Sequence, residues 1–149
     1  LRSISPPSLD VAQRRYLENT GMDFSSQIEV IFPGHPNNRK VVHRFESVKE
    51  KDILAHSVFP EVFSAFTYFN RKKIKIFICS STKQEIVERY IKSHKIENSL
   101  EGFLGYQTGF GKGEQIDFII QNCKLDPEEV VFVGDSLKDV DYIKDKKIE

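Results

Sequence analysis

Short apolar runs and helical stripes take turns along the second half of the chain. Ile74-Lys75-Ile76-Phe77-Ile78-Cys79 is β-branched and aromatic, which predicts a strand. Ser80 and Ser81 follow it directly. Thr82-Lys83-Gln84-Glu85 then has capping-box spacing, with Thr82 expected as the N-cap. Ile86, Val87, Tyr90, Ile91 and His94 share one helical face beyond it. A second strand is expected at Phe103 to Tyr106, then a loop over Gly109-Phe110-Gly111-Lys112-Gly113. From about Glu114 to Cys123 a helix turns Ile116, Ile119, Ile120 and Cys123 inward. Asp126-Pro127-Glu128-Glu129 reads as a turn. Val130-Val131-Phe132-Val133 is apolar throughout, the pattern of a strand covered on both faces of a parallel sheet. Gly134-Asp135-Ser136 leads into a helix bearing Val140 and Ile143. Such alternation predicts an α/β fold with a Rossmann-like, doubly wound parallel sheet.

The first part of the chain reads differently. Helical patterning covers about Leu9 to Leu17, and Ile28 to Phe32 is a short apolar run. Pro33-Gly34-His35-Pro36-Asn37-Asn38 is a loop. Val41 to Lys51 and Asp52 to His56 are compatible with helix. Val62, Phe63, Phe66 and Phe69 form an apolar stripe that suits a core rather than a cofactor box. Residues 7–56 therefore read as a mostly helical insert, with residues 1–6 and 57–149 forming the α/β core.

Composition narrows the function. Lys plus Arg and Asp plus Glu each number 22, so no basic face for nucleic acid is indicated. No apolar run is long enough to span a membrane, and the N-terminus lacks the apolar core of a signal peptide. Cys79 and Cys123 read as free thiols rather than a disulfide, which points to the cytoplasm.

Candidate chemistry gathers where the strands end, the side on which open α/β sheets bind ligands. Ser80 follows one strand, Asp135 follows another, and Lys112 opens the helix between them. A hydroxyl, a carboxylate and an ammonium on one edge suit phosphoryl transfer. Lys112 and Ser80 supply a cation and a donor for phosphoryl oxygens, and Ser81 can add a second hydroxyl. Asp135 is a hard oxygen ligand of the type Mg2+ prefers. Asp139, one turn further on, is placed to hold Lys112 or a metal-bound water. In the insert, His35, Asn37, Asn38 and Arg39 form a polar loop cluster that can read a substrate. His94 ends a helix, where a cation suits the dipole.

Three motifs together resemble those of haloacid dehalogenase-like (HAD-like) hydrolases. Val131-Phe132-Val133-Gly134-Asp135-Ser136-Leu137-Lys138-Asp139 is similar to the acidic fourth motif, an apolar strand then G-D-S-x-x-D. Ile76-Phe77-Ile78-Cys79-Ser80-Ser81 is similar to the second motif. Gly111-Lys112-Gly113-Glu114-Gln115-Ile116 is similar to the third. The resemblance implies a HAD-like core with a small helical cap, as in phosphoglycolate-phosphatase-like members. It implies a Mg2+-dependent phosphatase acting on a small phosphorylated metabolite through an aspartyl phosphate. In the family, the nucleophile and the acid/base are the two Asp of D-x-D-G-T. This sequence has no D-x-D followed by Gly; Asp139-Val140-Asp141 has the spacing but lies after the fourth motif. The expectation is that the motif lies just upstream of Leu1.

Rival readings are a non-catalytic binding module or pseudo-phosphatase of the same fold, and a dehalogenase. The dehalogenase is disfavoured because such members do not need the metal-binding Asp. Gly134-Asp135-Ser136-Leu137 also spells a serine-esterase motif with Ser136 as nucleophile, but no His follows it.

Overall fold

The apolar face of one helix fixes the centre of the molecule. In a computed structural model of the chain, which describes residues 8–20 and 22–149, Ile86, Val87 and Ile91 are the buried residues of helix α5 (Gln84–Ser93). Val87 and Ile91 join Ile96 in a cluster, against which Val58, Phe66, Ile78, Leu100 and Phe103 pack. The last two aromatic contributors come from α4 (Pro60–Arg71) and β2 (Gly102–Tyr106). Ile78 comes from β1 (Phe77–Lys83). The helix thus lies on a parallel pair, β1 beside β2, with Phe77, Ile78 and Cys79 opposite Gly102, Phe103 and Leu104. The crossover between parallel strands is the βαβ unit that the sequence pattern predicts.

The pairing becomes irregular between Cys79 and Lys83, after which Lys83 meets Tyr106. Two expectations change here. β1 runs on through Ser80, Ser81 and Thr82. Thr82 is therefore not the N-cap of α5; Lys83 holds that position without a side-chain bond, and the Thr82 amide donates to Ser80 Oγ at 3.1 Å. The backbone beyond the bulge is tight. A Cβ on Gly105 would sit 2.5 Å from Gln84 Cα, so glycine is required for close approach.

α6 (Lys112–Cys123) follows, with Gln115, Ile116 and Ile119 buried. A short 3-10 turn at Pro127–Glu129 matches the expected turn. The strand expected at Val130 to Val133 is a further correction. The segment has no strand partner among the described residues, and Val131 and Val133 are 68 % and 88 % exposed. Its backbone is tied to Glu149 instead: the Glu149 amide donates to Val130 O at 3.2 Å and the Phe132 amide to Glu149 O at 2.8 Å. Bonds on either side of one residue are how parallel strands pair, so the segment has strand-like bonding without a sheet around it. α7 (Leu137–Ile143) closes the order, with Val140 exposed.

Before the sheet lie α1 (Leu9–Glu18), α2 (Phe24–Ile31) and α3 (Asn38–Ala55). The apolar run at Ile28 is the buried face of α2. The two helical segments expected between Val41 and His56 are one continuous helix. Phe24 stacks on Phe45 with ring centroids 3.7 Å apart, joining α2 to α3. α3 reaches the end of β1 and α5 through two ion pairs, Glu46 with Lys83 at 4.0 Å and Glu50 with Arg89. The expectations placed on residues 1–7 lie outside the described residues.

Candidate active site

Two helix starts and one strand end build the site. α7 begins with a capping box. The Asp139 amide donates to Ser136 Oγ at 3.3 Å, and the Ser136 amide donates back to Asp139 Oδ2 at 3.1 Å. The same Oδ2 accepts from Ser136 Oγ at 2.7 Å and from the Asp135 amide at 3.2 Å. The carboxylate therefore gathers the Gly134-Asp135-Ser136 turn around itself. A Cβ on Gly134 would lie 2.5 Å from Asp139 Cβ, so only glycine leaves room.

The other oxygen of Asp139 points at α6. Lys112 Nζ donates to Oδ1 at 2.6 Å, with Asp139 3 % and Lys112 14 % exposed. Burial by itself would raise the Asp139 carboxyl, but hydrogen bonds from Lys112 and Ser136, with the Lys112 charge, outweigh it and hold the group below the ordinary range. Of the two roles open to Asp139 in the sequence, the geometry displays the contact with Lys112. Ser136, the esterase candidate, spends its hydroxyl on Asp139.

Asp135 differs. It is exposed, and its carboxylate makes no hydrogen bond or ion pair among the described residues. An open carboxylate on a turn held rigid from behind fits the needs of Mg2+, which takes one or two carboxylates and completes its shell with waters and substrate oxygens.

Ser80 enters from β1. Its amide donates to Gln115 Oε1 at 3.0 Å, and its carbonyl accepts from Gln115 Nε2 at 3.2 Å. Gln115 is one turn after Lys112 on α6, so the strand end and the lysine are linked through a single helical turn. Ser81 is half-buried beside it. Sequence reasoning leaves Gln115 out. Its one signal is a polar residue set on the apolar stripe of Ile116 and Ile119.

Cys79, just before Ser80, is free and half-buried. Burial pushes its thiol up to about 11, with Lys112 pulling weakly the other way, so it is protonated and inert at neutral pH. Tyr142 on α7 is raised by burial first, and then by Asp139, Glu114, Asp23 and Asp141. Tyr106 is raised by burial and by Asp23. Asp23 caps α2 by accepting from the Ser26 amide at 3.0 Å.

The loop cluster is held from within. Asn38 Nδ2 donates to Glu29 Oε2 at 2.7 Å and to Phe32 O at 2.6 Å. Both amide protons are used, so Asn38 is a loop brace in this structure. His35 Nδ1 accepts from the Asn37 amide at 3.2 Å. Arg39 is exposed, and its charge has no partner among the described residues. Asn38 lies eight residues before Glu46, about 12 Å along α3 from the ion pair with Lys83. His94 bonds Tyr90 O through Nδ1 at 2.8 Å, a local helix-end role.

Comparison with known proteins places this arrangement. A search of curated proteins finds no match. Among solved structures, a haloacid dehalogenase-like family hydrolase from Streptococcus pneumoniae superposes with a TM-score of 0.74 at 19 % identity, over 96 % of this chain and 67 % of that one. A protein from Clostridium difficile assigned provisionally as a phosphatase gives 0.67 at 12 % identity, over 94 % of this chain and 75 % of that one. At these identities the likeness speaks for the α/β fold alone. A sequence profile of the haloacid dehalogenase-like hydrolases matches residues 8–148, nearly the whole chain, and the protein belongs to that family.

Proposed function

We propose that the protein is a Mg2+-dependent phosphatase acting on a small phosphate monoester in the cytoplasm. The observation that carries this reading is the Lys112–Asp139 pair, set between the Asp135 turn and the Ser80 strand end. Asp139 holds the Lys112 side chain in place, so a cation is ready for phosphoryl oxygens without reorganisation. Ser80 and Ser81 add hydroxyl donors beside it. Asp135 would hold the Mg2+ ion, which when bound would offset negative charge on the phosphoryl group. The resemblance assigns the attack on phosphorus to an Asp of the first motif, which these 149 residues do not contain. His35 and Arg39, on the loop that opens α3, are the proposed substrate contacts of the helical part.

The test uses the complete encoded protein and an aryl phosphate. Hydrolysis that requires Mg2+, stops with chelator and is lost in Asp135→Ala supports the reading. Lys112→Ala is expected to lower kcat/KM by about 100-fold or more. No turnover by the complete protein at any Mg2+ concentration would favour the pseudo-phosphatase. Halide release from a 2-haloacid without Mg2+ would favour the dehalogenase.

A further inference from the structure

We propose that Gln115 is a positioning residue of the phosphate site, holding Ser80 in register with Lys112; this rests on the phosphatase reading above. Gln115 is fully buried. Its carboxamide accepts from the Ser80 amide at 3.0 Å and donates to the Ser80 carbonyl at 3.2 Å, with a further donation to Phe110 O at 3.4 Å. A side chain that pairs both main-chain groups of one residue acts as a neighbouring strand would. Ser80 needs such a partner. It falls inside the break in register between Cys79 and Lys83, beyond the last regular pair with β2.

The consequence is geometric. Two bonds to one residue fix the orientation of its peptide planes, and with them the direction of its Cα–Cβ bond. Gln115 therefore fixes the base of the Ser80 side chain, and the Thr82 amide, which donates to Ser80 Oγ at 3.1 Å, holds the hydroxyl from there. Gln115 and Lys112 stand three apart at the start of α6, on one face of one rigid turn. Any shift of that turn moves the lysine and the serine together. Packing alone does not call for a polar group here, because burying a carboxamide among Ile116 and Ile119 is unfavourable unless it is bonded. Met would fill the same space.

The proposal is tested in the complete encoded protein with inorganic phosphate as a competitive probe of aryl phosphate hydrolysis. Gln115→Met is expected to raise the phosphate inhibition constant about 10-fold, the loss of roughly one well-placed hydrogen bond. The Mg2+ half-saturation should stay within about 2-fold, because Asp135 is held by Asp139 and not by Gln115. In a Ser80→Ala background, Gln115→Met should add less than about 2-fold, because the side chain whose base it fixes has already lost its hydroxyl. Gln115→Glu supplies a check that does not depend on how well Gln115→Met folds. A protonated carboxyl can both donate to the Ser80 carbonyl and accept from its amide, whereas a carboxylate can only accept. The ratio of variant to wild-type inhibition constants should then fall towards one as pH drops from 8 to 5. Effects that add fully in the Ser80→Ala background, or a ratio that stays well above one at pH 5, would overturn the proposal. A wild-type protein that hydrolyses no aryl phosphate would overturn the phosphatase reading instead, a different result from intact wild-type activity with no effect at Gln115.

Discussion

Asp139 carries more of the local structure than its single charge suggests. It completes a capping box, gathers the turn that bears Asp135 and neutralises Lys112. Asp139→Asn keeps the size and part of the capping, but puts an amide donor or a neutral oxygen opposite a largely buried ammonium. Breaking such a pair costs about 3 kcal/mol, a fall in Tm of about 10 °C for a chain of this size. The pH dependence has a definite sign. The folded carboxyl lies below its ordinary value. Its stabilisation is therefore complete above the unfolded value of about 3.9 and is lost as pH falls through the folded one. Denaturant unfolding of both proteins should show the gap constant from pH 7 to 5 and closing below about pH 4. A gap that is the same at pH 3 would mean that Asp139 acts through shape alone. The sequence sets Asp139 one turn into a helix, on the side of its own turn, but leaves its partner open between Lys112, a metal-bound water and solvent. Gln115 is not legible in the same way. Periodicity tells which face of α6 it occupies, but not which backbone group waits there.

Three helices end in the same manner. After α4, α5 and α6 the chain passes through Lys73, Lys95 and Lys124, each with positive φ, at 59°, 55° and 51°. The next residue, Ile74, Ile96 or Leu125, donates back to the carbonyl of Phe69, Ile91 or Ile120. This is the Schellman arrangement, which usually places glycine in the left-handed position. A Cβ there costs about 1–2 kcal/mol, whereas glycine adds about 0.4–1 kcal/mol of unfolded-state entropy to be lost. The first effect wins. Each Lys→Gly change should stabilise by about 0.5–1 kcal/mol, and the triple variant by about 2 kcal/mol, since the sites are on separate helices. Urea midpoints that do not rise would show that the lysines contribute interactions worth as much as the strain. At this scale the sequence is informative about existence and weak on ends. The stripe of α5 is plain, yet Thr82 reads as a cap because its spacing to Glu85 is right, while β1 in fact continues through it. Val130 to Val133 reads as a covered strand because an apolar run signals low polarity, not the presence of neighbours. The neighbours belong to the whole fold.

Burial is unevenly distributed over the molecule, and that sets which parts open first. The cluster of Val87, Ile91 and Ile96 joins α5, α4 and both strands, so these elements share the apolar contacts that resist opening. α1 has no buried residue. Its partners Phe24, Ile28, Ile31 and Phe45 line an apolar groove open to solvent. Two ion pairs link α3 to the end of β1 and to α5, Glu46 with Lys83 and Glu50 with Arg89; the Glu50–Arg89 pair is exposed on both sides and contributes about 0–1 kcal/mol. Patterning along the sequence separates the helical first part from the alternating second part, but how strongly the two are joined is a matter of contacts made at long range. Local opening should follow it. Hydrogen exchange is expected to be fastest in α1, intermediate in α2 and α3, and slowest in β1 and α5, with α1 exchanging about 100-fold faster than α5 or more. Raising the salt to 0.5 M should screen the two ion pairs and speed exchange in α3 while leaving α5 unchanged. Equal protection of α1 and α5 would mean that the helical part and the sheet unfold as one unit.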